Sequence, residues 1–310
     1  MNDIGVEGPS VSLQQGWLAR WKEENASRID EARRGIYRFR QSPLSIVGLI
    51  MVVFILLVAI VGPPLVPYPK DATGAVHVRE RLLPPSQEHY FGTDDVGRDI
   101  FSRVIVGGRY SLMAGVVVLV IANTIGITLG AVAGYFGGRI NMLIMRFTDI
   151  FFTIPALILA LSISAALGRG LVVAMAAISL VWWPGYCRLT QGEVLALKEK
   201  AYVEAARGLG ASHARIIFQY ILPNCLSPII VKASLDMGFA ILTTAGLGFI
   251  GVGAQPPIPD WGVMVSKGRS YLPTWWWYST FPGLAIFIVV LGFNLLGDGL
   301  RDIFDPRTRR

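Results

Sequence analysis

The chain has 310 residues, 53% of them apolar and only 16% charged, with a mean hydropathy of +0.53. That balance excludes a soluble domain of this length, so part of the solvent must be lipid. The formal charge of +7 follows from basic flanks beside apolar stretches and from attraction to anionic lipid heads, and it calls for no nucleic-acid partner.

Several runs reach the roughly 20 apolar residues that cross a hydrocarbon core. Residues 1–43 form a basic arm containing Arg20, Lys22, Arg28, Arg33, Arg34, Arg38 and Arg40, and residues 44–66 form the first candidate span. That run exceeds an export-signal core in length and no small-residue cleavage pattern follows it before Pro63-Pro64, so it is expected to stay as an anchor. Pro63, Pro64, Pro67 and Pro69 then stop the helix and open a long polar loop, residues 67–111. From Ile100 the pattern turns helical, with Ile100, Phe101, Val104 and Ile105 on one face and Arg98, Ser102 and Arg109 largely elsewhere. It reads as an interfacial helix that turns inward at about Leu112. Five more spans are expected over Leu112–Phe136, Met142–Leu167, Leu171–Cys187, Ser227–Val252 and Phe281–Leu296, within a core of residues 112–303 that a tail, 304–310, follows. The fourth span is short and the fifth carries Lys232 and Asp236. The expected fold is therefore an all-α polytopic membrane protein with six transmembrane helices.

Between the fourth and fifth spans lies a polar loop, residues 195–224. Tyr202, Ala205, Ala206 and Leu209 stand at helical spacing, Gly208 and Gly210 interrupt, and Ser212 is placed to cap a second short helix that Pro223 ends. The exposed face of this helix, turn and helix would carry the small residues Ala205 and Ala206, flanked by Glu204 and Arg207. Another protein can approach such a face closely while the charges set register.

Four stretches carry a resemblance to a known family. Glu204-Ala205-Ala206, Gly210 and Leu222-Pro223 resemble the EAA loop of ABC-type importer permeases, with Tyr220 where that pattern usually has isoleucine. The order Gly92-Thr93-Asp94-Asp95-Val96-Gly97-Arg98-Asp99 looks like a signature of the dipeptide, oligopeptide and nickel branch. Gly251 to Gly262 and Gly297 to Asp302 with Asp305-Pro306 look like its second, C-type permease subunit. The resemblance runs from about Leu44 to Pro306. It implies a type I importer permease fold, a sister permease chain, two cytoplasmic ATPase chains that bind the ATP and magnesium, and an extracytoplasmic binding protein. It also implies that Glu204, Ala205, Ala206, Arg207, Gly208, Gly210, Leu222 and Pro223 form the ATPase-coupling element. Asp94, Arg98 and Asp99 would make either a rigid charged turn, the reading favoured here, or a contact for the binding protein.

Lysine and arginine gather beside the arm, at Arg139, in the 195–224 loop with Arg188, and in the tail. Both ends and the loop are therefore expected in the cytoplasm, in the inner membrane of a bacterium. The six basic residues of the 67–111 loop weigh little against this, because long loops cross largely regardless of charge. Arg146 with Asp149, and Lys232 with Asp236, can each share a helix face. They are expected in the cytoplasmic half, in structural pairs. Trp275-Trp276-Trp277-Tyr278 fits an outer aromatic belt, and the small residues from Gly115 to Gly134 a close helix contact that could include the sister chain. Cys187 and Cys225 are expected unpaired, and His77, His89 and His213 as ordinary surface residues without a metal. No Gly-x-x-x-x-Gly-Lys-Ser/Thr loop, His-Glu-x-x-His motif or internal duplication occurs, so neither ATP hydrolysis nor catalysis is expected of this chain. The reading is a permease for dipeptides or oligopeptides. Alternatives are nickel, glutathione or another small solute of the same branch, and, in a different class, an ion-driven secondary transporter.

Overall fold

A computed structural model describes Gly35, Tyr37 and residues 39–304. The rest of the basic arm, the residues after 304 and the Asp305-Pro306 part of the family signature lie outside the described residues.

Helix α1, Pro43–Val61, starts where the Ser42 hydroxyl accepts the Ser45 amide N–H and Pro43 presets the first turn. It ends five residues short of the expected 66, because Pro63 and Pro64 drive the chain into a tight turn, Pro63–Leu65. Its 19 residues span about 28 Å, one hydrocarbon thickness. Ser45, Gly48, Val52, Ile55 and Ala59 form its buried stripe, and Ile50, Phe54, Leu57 and Ile60 face outward.

Helix α2, Ile100–Phe136, is unbroken over 37 residues. The expected interfacial helix and second span are thus one rod of about 55 Å. No proline interrupts it at the expected turn near Leu112, and Gly107 and Gly108 lie against the indole of Trp261, whose Nε1 donates to the Val104 carbonyl at 2.9 Å. Ser102, expected off the apolar face, is buried with Ile100.

The expected third span is broken into α3, Gly138–Phe152, and α4, Ala156–Leu167, bent by 87°. Pro155 has no N–H to give and bars Ile154 from helical geometry. Five helices are therefore long and apolar enough to cross a membrane, or six if the bent pair is one span. Helix α5, Leu171–Leu197, runs ten residues beyond the expected end at Cys187, because its polar second half still buries Thr190 and Val194. Gly126, Gly130 and Gly134 of α2 form a seam against it, and a Cβ at any of them would fall within 3.0 Å of Tyr186, Cys187, Thr190 or Val194. The small-residue stripe expected to allow close contact is thus filled by the chain's own α5.

Beyond α5 come α6, Ala201–Gly208, a turn at Gly210, and a helical run from His213 that continues to Ile250. Pro223, expected to end a short helix, lies inside this run. The π turn Ile216–Ile221 shifts the bonding by one residue, with Leu222 N–H reaching the Ile217 carbonyl, and so opens the backbone ahead of the proline ring. Asn224 Nδ2 donates to the Tyr220 carbonyl at 2.7 Å. Helix α7 proper is Leu222–Ile250, followed by α8, Trp261–Gly268, capped by Asp260, and α9, Trp277–Phe304. Helix α9 packs between α1 and α7, with Gly299 on Ser45, Gly48 of α1 on Leu296, and Gly297 on Leu235.

Candidate functional site

The α6 loop is anchored from beneath. Val203 is buried among Ala131, Tyr135, Val194, Ile216, Ile217, Ile221 and Cys225, a small core at one end of the bundle, and Ala206 beside it is buried as well. Tyr135 of α2 shares a 2.9 Å hydrogen bond with His213 Nδ1, and Phe136 meets the same ring edge-on. The Ser212 hydroxyl accepts the Arg215 amide and starts the next helix. Gly210 sits at φ +78°, which strains any L side chain whatever the space around it.

The outward face is correspondingly defined. Glu204, Ala205, Arg207, Gly208 and Gly210 are exposed, and Leu209 is 89% exposed at the tip. Ala206, expected on that face, points into the core instead, because it lies three residues after Val203 on the buried stripe. Leu222 is half-buried against the same core and Pro223 is exposed. Partial desolvation raises the pKa of the Tyr202 phenol above its ordinary value. The sequence marks Leu209 only by its helical spacing, since nothing in composition separates an apolar tip residue from a core one.

At the other end of the bundle the turn of residues 92–99 is closed. Asp94 Oδ1 accepts the Val96 and Arg98 amides, each at 2.9 Å, and its Oδ2 accepts Arg98 Nε at 2.7 Å. Asp99 caps α2 by accepting the Ser102 amide at 2.7 Å and holds His89 Nδ1 at 3.0 Å. Asp71 accepts the Asp99 amide at 2.8 Å and pairs with His77 at 3.0 Å. The Arg103 guanidinium donates to the Asp71 carbonyl at 2.9 Å. Thr93 bridges the Glu80 carbonyl and the Leu83 amide. Gly92 and Gly97 have φ of +73° and +84°, and a Cβ on either would collide with the backbone of Leu83 or His77.

Asp94, Asp99 and Arg98 are at most 5% exposed, so this segment presents little surface to a partner. His89, expected at the surface, is 4% exposed because it closes this network. Trp277 and Tyr278, expected in an aromatic belt, are buried as well: Tyr278 donates to Asp95 at 2.7 Å and Trp277 Nε1 to the Thr93 carbonyl. Trp276 alone of the two adjoining tryptophans is largely exposed, at 48%. Asp71, His77, Arg103 and Tyr278 were not legible as partners of this turn, since their spacing along the chain follows no motif. Among the described residues, no group of three or more acidic, histidine or cysteine side chains is placed to hold a metal.

Inside the bundle, Lys232 Nζ pairs with Asp236 Oδ2 at 2.9 Å and Tyr186 of α5 donates to that same oxygen at 2.7 Å. Asp236 is the middle residue of the 29-residue α7. Asp149 pairs with Arg188 of α5 rather than with Arg146. Cys187 and Cys225 are buried and free.

Comparison with known proteins fits this architecture. Residues 126–310 match the family model described as "binding-protein-dependent transport system inner membrane component", and residues 29–85 match "N-terminal TM domain of oligopeptide transport permease C". The chain is 48% identical to a probable D,D-dipeptide transport system permease protein of Escherichia coli, over 88% of this chain and 91% of that one. The chain belongs to the binding-protein-dependent transport permease family.

Further relatives in the binding-protein-dependent permease family include a dipeptide transport system permease protein of Alkalihalophilus pseudofirmus, 44% identical with 93% of each chain covered. An oligopeptide transport system permease protein of Bacillus subtilis is 37% identical, over 98% of this chain and 95% of that one. A solved inward-facing structure of the MetNI methionine ABC transporter superposes with a TM-score of 0.55 at 18% identity, covering 66% of this chain and 98% of the matched chain. The fold is that of an ABC importer permease, and the protein is a multi-pass permease subunit of a transporter complex with ATPase subunits.

Proposed function

We propose that this permease imports dipeptides or oligopeptides across the inner membrane of a bacterium, in a complex with a sister permease, two cytoplasmic ATPase chains and an extracytoplasmic binding protein. Binding of ATP and magnesium belongs to the ATPase chains. The names of the relatives support the substrate class. One observation carries the coupling role: a rigidly anchored loop that projects Glu204, Ala205, Arg207 and the apolar Leu209 outward. An apolar tip flanked by charges suits a cleft in a partner. The turn at the opposite end, buried and cross-braced, has a structural role.

In this reading the ATPase chains prefer one arrangement of the loop, and that difference in binding free energy biases the bundle between inward-open and outward-open states. Gly210→Pro forces φ to about −65° where +78° is needed, and Glu204→Arg reverses the exposed charge. Both variants should insert and reach normal membrane levels while substrate-stimulated ATPase activity of the complex falls to the unstimulated rate. Normal stimulation in both would refute the docking role.

A further inference from the structure

Three helices, α5, α7 and α9, line an open cavity of about 790 Å³ that extends from the loop end of the bundle to the middle of α7. Its wall carries Glu193 from α5, Lys232 and Asp236 from α7, and Arg301 from α9. We infer that this cavity is a binding subsite for a zwitterionic peptide on its way through the membrane, with Lys232 and Arg301 facing the carboxylate end and Asp236 and Glu193 the ammonium end. The inference deepens the peptide-permease reading and rests on it.

Four features point the same way. Ionisable groups within a membrane-spanning helix, as Lys232 and Asp236 are, are costly unless a cavity or a function keeps them. Lys232 and Asp236 keep side-chain exposures of 35% and 18% although they are paired, whereas a pair serving packing alone would be closed off like Asp94 and Arg98, at 1% and 7%. The volume lies within the roughly 300 to 1,000 Å³ of small-molecule sites. Finally, the wall holds two cations and two anions. A ligand of one sign would meet as much repulsion as attraction there, whereas a molecule with a charge of each sign at its two ends is complementary. No histidine or cysteine joins the wall, which disfavours a transition-metal cargo. Tyr186 donates to the Asp236 carboxylate and its ring lies 5.1 Å from Lys232 Nζ, so both charged groups are held in place at the wall, where the termini of a peptide would compete for them.

The test is uptake of radiolabelled alanyl-alanine and of its N-acetyl derivative by intact cells carrying the otherwise complete transporter. The double variant Lys232→Met, Asp236→Leu removes both charges and leaves neither orphaned. It should lower alanyl-alanine uptake at least ~10-fold, the worth of one charged hydrogen bond, at an unchanged membrane level. A pair that only packs the helices predicts wild-type uptake in that variant, and such a result overturns the site. Glu193→Gln lies outside the ion pair and guards against a folding defect. It should depress uptake of the free dipeptide more than that of the acetylated one, whereas equal loss for both, or none, overturns the assignment. Wild-type cells that take up no dipeptide through this system would sink the peptide reading and the site together, while normal wild-type uptake with unaffected variants would sink the site alone.

Discussion

Asp94 is the residue on which the turn at the Gly92 end depends, because one carboxylate accepts two backbone amides and the Arg98 guanidinium while only 1% exposed. Asp94→Ala would leave Arg98 buried without its partner, a loss worth about 3 to 5 kcal/mol. A marked fall in the melting temperature of the detergent-solubilised protein would register it. Asp260 offers a pH dependence of definite sign. Burial, opposed by the Val263 and Gly262 amides, pushes its pKa from 3.8 up to about 6. The folded state therefore binds this proton more tightly than the unfolded state. Stability contributed by the protonated form is present at low pH and is lost as pH rises from about 4 to about 6, by roughly 3 kcal/mol in all. Asp260→Asn keeps a good helix cap and should flatten that part of the melting-temperature profile. A profile of Asp260→Asn as steep as the wild type would assign the titration to other groups. At this scale the sequence showed which residues mattered in the turn, since glycine and aspartate at tight spacing announce a constrained backbone. It could not show Asp71 or Tyr278 as their partners, because pairing across 28 or 183 positions leaves no local trace.

Helices were legible where apolar runs have clear ends and illegible where the chain switches from lipid to water without changing conformation. The unbroken passage of α2 through Leu112, the extension of α5 on to Leu197 and that of α7 back through Pro223 are all of that kind. Hydropathy measures the solvent, while helicity persists as long as backbone bonds and a buried stripe allow it. The kink after Phe152 could have been read from Pro155, but an unbroken apolar composition concealed it. The α2–α5 seam makes its own prediction. Gly130→Val forces a side chain into the backbone of Cys187 and should cost about 1 to 3 kcal/mol or displace α5, whereas Gly192→Ala, with nothing within 4 Å of its Cβ, should be neutral or stabilise by up to about 1 kcal/mol. Melting temperatures of the two purified variants compare them directly.

For the molecule as a whole, the family, the all-helical class and the position of the projecting loop were readable from four short motifs, whereas the cavity at Lys232 and Asp236 was not. Its wall draws on three helices far apart in the chain, and the charges read singly looked like snorkelling pairs. The proposed orientation is open to a direct check. A cysteine replacing Glu204 should react with a membrane-impermeant maleimide only in inverted vesicles, and one replacing Arg81, exposed beside the buried turn, only in intact cells or spheroplasts. The reverse pattern would invert the topology. Helix α2 joins these two worlds. Its first residue follows the braced turn, its last two grip His213, and glycines seat it at both ends, Gly107 against the Pro259 carbonyl and Gly130 against that of Cys187. About 35 Å of helix separates the two glycines. A rod so seated works like an axle in two bearings: a slide or a twist imposed at the His213 end is handed undiminished to the other.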